Sequence, residues 1–238
     1  VGYSTGGAGT GTFKSGAQTT IDATQINIGT GTNATGTFEL GAGTVKAQTI
    51  TLGSGGNFIF TGGRLSVGTF NGTLNQDGGV LAPDSSLGIS TINGNYNLAS
   101  AGILEFDLNG TAAGTLYDRL AIKGLTQLNA DSGLGGWLDI RLGYAANPGD
   151  TFLIVENDMA DPVAGYFRGL GEGSYFSEIF GGSEYTFQIS YMGGTGNDVT
   201  LTAVNRPLHA VPEPETWVML LAGLGLLSFI ARCRKNNT

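Results

Sequence analysis

The sequence predicts an all-β protein: a parallel β-solenoid, or β-helix, that runs into a β-rich C-terminal region and ends in one apolar α-helix. Three observations predict it. Glycine supplies 42 of 238 residues and charged residues only 13%, against roughly 7% and about 25% in ordinary domains. A short apolar pattern recurs through residues 1–98. No long amphipathic helical period precedes the C-terminal apolar run. Hydrophobic residues, at 40%, are too many for a disordered linker. The absence of a Gly-X-Y period excludes collagen.

Residues 1–98 carry the repeat. Ile21-x-Ala23-x-x-Ile26-x-Ile28-Gly29 returns 24 residues later as Val45-x-Ala47-x-x-Ile50-x-Leu52-Gly53. Phe13 and Phe38 lie upstream of the two copies, each followed by Gly-Ala three residues on. A looser third copy runs from Phe58 through Leu65-x-Val67-x-x-Phe70. Such a unit cannot bury its own apolar face, so neighbours must stack. Alternating Ile, Val, Leu and Phe then point inward, and Gly and Asn turn the corners.

Residues 72–96 end this part: Gly72-Thr-Leu-Asn-Gln-Asp-Gly-Gly-Val-Leu-Ala-Pro83-Asp84-Ser-Ser-Leu-Gly-Ile-Ser-Thr-Ile-Asn-Gly94-Asn95-Tyr96. This stretch resembles the autotransporter-associated β-strand repeat, with Asp84 in place of the glycine that family favours after Pro83. The resemblance implies a secreted β-helical stalk and no particular ligand.

Residues 99–204 continue in strands and are read as the β-rich C-terminal part of the body. Residues 103–108 (Ile-Leu-Glu-Phe-Asp-Leu) and 137–142 (Trp-Leu-Asp-Ile-Arg-Leu) alternate as half-exposed strands, with Glu105 and Asp107 on the outward face. The run 151–155 reads as a more buried strand, Asn147-Pro-Gly-Asp150 as a turn, and 185–191 and 199–203 as the closing strands. Residues 205–210 are a short linker.

Residues 211–238 form the tail. Val211-Pro212-Glu213-Pro214 precedes an apolar run from Trp217 to Ala231, then Arg232, Arg234 and Lys235. The run is about 22 Å long as a helix, short for a hydrocarbon core of about 30 Å. Trp217 suits the interface, Leu220, Leu221, Gly223, Leu224, Leu227, Phe229 and Ile230 the lipid, and the three basic residues the cytoplasmic side. Proline interrupts helices, so the Pro-Glu-Pro segment should be extended and open outside. In that order these features resemble the PEP-CTERM sorting domain of Gram-negative bacteria. The resemblance implies recognition by an exosortase, a membrane-embedded cysteine peptidase, and association with extracellular polysaccharide and biofilm. It implies export across the inner membrane, an anchor at 217–231 until cleavage, and an export signal ahead of Val1. An ordinary single-span anchor is the alternative. Cys233 lies in the tail, so no internal disulfide can form.

The function classes left are few. A net charge of −8 repels phosphate backbones and excludes nucleic acid as a partner. His209, the one histidine, lies in the linker, so a histidine triad within the body is impossible. Gly193-Gly-Thr-Gly-Asn-Asp198 resembles a single calcium-binding RTX repeat. Such sites need tandem copies, so it reads as a turn, and neither metal nor cofactor is expected. Gly6–Gly11 lacks the lysine of a phosphate loop. Carboxylates such as Asp22, Glu105, Asp107, Asp118 and Asp139 look scattered, and Asp22 with Lys46 reads as a surface pair. The expectation is a structural or adhesive surface protein, not an enzyme. The alternatives are a carbohydrate-binding module stacking sugars on residues such as Trp137, a polysaccharide-cleaving β-helix, and an autotransporter passenger. An exposed aromatic row along one β-face would favour the carbohydrate-binding module.

Overall fold

The computed structural model describes residues 2, 8–83, 88–129, 134–158 and 161–205. Among them every regular element is a β-strand, and no helix is long and apolar enough to cross a membrane. The helix expected at 217–231 and the sorting residues around it lie outside the described residues.

The chain winds in coils. Strands β1 (Gly9–Lys14) and β2 (Thr20–Ile28) make the first, β3 (Ala34–Leu40) and β4 (Thr44–Leu52) the second, and β5 (Gly56–Phe60) and β6 (Arg64–Asn71) the third. The odd-numbered strands pair in parallel in one sheet and the even-numbered strands in another. The register sets Ile21 on Val45 and Val45 on Leu65, and Phe13 on Phe38 and Phe38 on Phe58. That is the alignment the repeat predicts. The phenylalanines form a ladder with ring centroids 4.7 and 5.4 Å apart, each contact contributing about 0.5–1.5 kcal/mol beyond burial.

The two-residue gap in the repeat has a structural cause. Ile21 and Ala23 obey a period of two, and so do Ile26 and Ile28, but the two sets are out of phase. The strand bends between them so that both halves keep their apolar side chains inward. Residues at the bend, Thr24, Gln48 and Gly68, fall in the gaps of the ladder register. In the fourth coil the halves separate. After β7 (Leu74–Gln76), β8 (Gly79–Pro83) pairs with the first half of β6 and β9 (Ile89–Asn93) with the second.

Three strands per coil then persist. Strands β10 (Tyr96–Leu98), β11 (Gly102–Leu108) and β12 (Arg119–Ile122) form the fifth coil, and β13 (Thr126–Gln127), β14 (Trp137–Leu142) and β15 (Thr151–Asn157) the sixth. Residue 98, where the solenoid was expected to give way, therefore closes β10 inside the parallel stack, which continues to Asn157. The later coils carry long connections after β11 and β14 that hide the period. Ala164 bridges Gln127, and Arg168 N–H donates to Gly136 O at 2.8 Å, which starts a partial further turn. Antiparallel pairing then ends the stack. Strands β16 (Tyr175–Phe180), β17 (Ser183–Gly193) and β18 (Asp198–Val204) form a meander, and β18 lies antiparallel to β15.

Columns of like residues run along the stack. Gly43 and Gly63 immediately precede β4 and β6, Gly79 opens β8, and all three have positive φ (79°, 72° and 73°). A Cβ on Gly79 would lie 2.7 Å from backbone atoms of Gly62 and Gly63, so only glycine fits. Asn93 donates to Asn71 at 2.8 Å and Asn97 to Asn75 at 2.7 Å. Inside, Gln76 is fully buried yet satisfied. Its amide donates to Gly79 O and Ile103 O, both at 3.0 Å, and its Oε1 accepts from the buried Tyr96 hydroxyl at 2.6 Å. Burial raises the Tyr96 pKa well above the usual tyrosine value, so the hydroxyl stays a donor.

The first coil contrasts with the second. Val45, Ile50 and Phe38 are buried, whereas their register partners Ile21, Ile26 and Phe13 are half-buried. The reason is position: inward side chains need a coil on both sides to be covered.

Candidate functional site

The outward face of β6, β8, β11 and β14 gathers most of the chemistry. On β11, Leu104, Phe106 and Leu108 point into the core and are fully buried, so Ile103, Glu105 and Asp107 point out. Parallel register sets Arg64 beside Val80, Val80 beside Ile103, and Ile103 beside Trp137. Glu105 faces Asp139, and Asp107 faces Arg141.

Glu105 departs from expectation. It points outward but is only 3% exposed. Arg64 reaches across β8 and grips its carboxylate with two nitrogens, at 3.0 and 2.5 Å. Arg141 binds the same carboxylate from the other side at 2.6 Å. The hydrogen bonds that Arg64 donates to Glu105 are the main cause that raises the Arg64 pKa, against the opposing effect of burial. One carboxylate thus ties together strands of three coils. Desolvation, followed by repulsion from Glu105, raises the Asp107 pKa. Glu178 on β16 is raised by desolvation and then by Asp139.

Trp137 completes the face. It is 47% exposed, and the Arg168 guanidinium lies over its ring, 4.7 Å from the centroid. Beside the indole is an open depression of about 400 Å³ lined by Ile103, Trp137, Leu138 and Asp139. Tyr166, on the same turn as Arg168, is 50% exposed. Among the described residues these two exposed rings fall short of an aromatic row, because most other aromatic residues there are in the core.

The remaining sequence candidates are placed as follows. Asp22 and Lys46 are register partners, as expected, and line a shallow notch of about 230 Å³ at the strand bend. Asp118 is buried. Its Oδ1 accepts from Gly88 N–H at 2.8 Å and its Oδ2 from Asp107 N–H at 2.9 Å, so it fastens a corner. In the RTX-like stretch, Asp198 accepts from the N–H groups of Asn157 and Thr195, both at 2.8 Å, and from the Thr195 hydroxyl at 3.0 Å. Its carboxylate serves as an acceptor for a tight turn. Among the described residues no group of three or more His, Cys, Asp or Glu is placed to hold a metal ion.

Val211, Pro212, Glu213, Pro214 and the span and basic residues that follow lie outside the described residues. Comparison with known families concerns that segment: the PEP-CTERM protein-sorting motif matches residues 210–235. The chain therefore carries a sorting signal whose presence implies export and an exosortase as processing partner. That match gives no support to the autotransporter-associated repeat over residues 72–96. No curated protein and no solved structure matches the chain.

Proposed function

We propose that this chain is an exported, exosortase-processed structural or adhesive protein of a Gram-negative cell surface or extracellular matrix. The observation that carries the reading is the sorting motif at 210–235. The apolar run from Trp217 to Ala231 holds the precursor in the membrane until cleavage, and the coiled body is what reaches the exterior. That body suits a scaffold. Its stability is spread over six coils whose apolar ladders each contribute roughly 1.5–3 kcal/mol per fully buried large side chain. It acts without catalysis. The carboxylate best placed on the outer face, Glu105, is held by two arginines and shielded from solvent, which supports a fastening role.

Intact-mass measurement of the protein from its native host, with and without a functional exosortase, tests this reading. Loss of the tail from near Pro212–Glu215 only when the peptidase is active is the expected result. An uncut chain in both strains would make residues 217–231 a permanent anchor and overturn the processing step.

A second reading, recognition of extracellular polysaccharide by the body, is favoured by the exposed Trp137 beside an open depression.

A further inference from the structure

We propose that Trp137, Ile103 and Asp139 form a binding platform for a neutral polysaccharide segment. The proposal rests on the second reading above and is independent of tail processing.

Apolar side chains face outward in two places on adjacent strands here, at Ile103 and Trp137, which are register partners. Together with Leu138 they floor the depression of about 400 Å³, and Asp139 forms its polar wall. A pyranose ring has one face of C–H groups and a rim of hydroxyls. The C–H face matches the indole and Ile103, and a hydroxyl can donate to the Asp139 carboxylate, which is half exposed. Sites for small ligands pair an apolar floor with a few fixed polar groups in this way. Arg168 stacks on the indole, so the ring is held before a ligand arrives, which lowers the entropy lost on binding.

Charge decides which glycan. Arg64 and Arg141 are both engaged by Glu105, and Arg141 also lies 3.9 Å from the Asp139 carboxylate. Asp139 stands at the edge of the depression, with Asp107 and Glu178 near it; with Glu105 these four carboxylates outnumber the three guanidinium groups of Arg64, Arg141 and Arg168, the last of which keeps its charge over the indole. After desolvation, repulsion from Glu105 raises the Asp107 pKa against the opposing pull of Arg141 and Arg64, and repulsion from Asp139 raises that of Glu178. A uronate would meet repulsion there, and an uncharged sugar would not.

Affinity electrophoresis and titration calorimetry on the purified full chain test the proposal. The probes are three neutral polymers (a mixed-linkage β-glucan, a galactomannan and a dextran) and two acidic ones (alginate and polygalacturonate). The expected result is binding to at least one neutral polymer and none to the acidic pair. Trp137→Ala should weaken that binding about tenfold or more, with an unchanged far-ultraviolet circular dichroism spectrum. Asp139→Asn should weaken neutral binding while easing the exclusion of uronates. Failure of all three neutral polymers, stronger binding to either acidic one, or full affinity in a folded Trp137→Ala variant overturns the proposal. Each of those outcomes leaves the mass measurement on the tail untouched.

Discussion

Replacing Glu105 with alanine removes the one carboxylate that binds both Arg64 and Arg141. Truncating one partner of a fully buried ion pair costs about 3–5 kcal/mol, because the other charge is stranded. Here the carboxylate is 3% exposed, but the arginine side chains are 34% and 55% exposed. Both guanidinium groups can regain water once released, so the loss is discounted to about 2–3 kcal/mol. For a chain of this size that corresponds to a fall in melting temperature of roughly 4–12 °C. Urea titration followed by circular dichroism would measure it in the parent, in Glu105→Ala, in Arg141→Ala and in the double variant. The fastening role requires a coupling energy of at least about 1 kcal/mol between the two sites. It also requires that coupling to shrink in high salt, since Arg141 is half exposed. A coupling within about 0.3 kcal/mol of zero, or a neutral Glu105→Ala, would refute the reasoning.

Two further outcomes follow from the same geometry. Tyr96→Phe leaves the Oε1 of the buried Gln76 without its donor, at a cost of about 1–3 kcal/mol; a melting temperature unchanged by scanning calorimetry would contradict the network. Asp107 has a folded-state pKa raised by desolvation and by Glu105, so the folded chain holds that proton more tightly than the unfolded chain. Its contribution to stability is then lost as pH rises from the ordinary carboxylate range near 4 through the raised value. Asp107→Asn should be more stable than the parent at pH 7, with an advantage that shrinks toward pH 4; an advantage that grows on acidification would reverse the sign.

The first three coils were legible because their register steps are nearly constant and their side chains obey one pattern. Ile21, Val45 and Leu65 fall on one ladder, and even the two-residue gap has a structural meaning as the strand bend. The later coils were not legible. The register steps on the outer face change from 16 residues (Arg64 to Val80) to 23 (Val80 to Ile103) and 34 (Ile103 to Trp137). No fixed period survives such insertions, and the stack was expected to end at residue 98. The ion cluster was hidden for the same reason. Glu105 and Asp107 read correctly as outward, but nothing in the spacing says that Arg64 arches over a strand to cover Glu105. Trp137 was singled out by residue type, whereas its neighbour Arg168 comes from a partial turn with no repeat signal. The sorting tail carries its information in composition and order, which is why it was readable without a fold.

The proposed role as a surface scaffold would expose the chain to pulling as well as to solvent, and the arginine strap bears on that. Ladder hydrogen bonds link one coil to the next, so tension along the stack loads the coils in series and the weakest junction opens first. That junction lies in the sheet of odd-numbered early strands. There β5 and β7 share a single register pair, Phe60 with Gln76, and β10 and β13 share two. On the opposite sheet, Arg64, Glu105 and Arg141 reach from β6 across β8 and β11 to β14, over the same coils. The strap works as a side-chain tendon alongside the thinnest part of the backbone ladder. It adds side-chain load-bearing on one sheet of the coils whose other sheet has the shortest ladders.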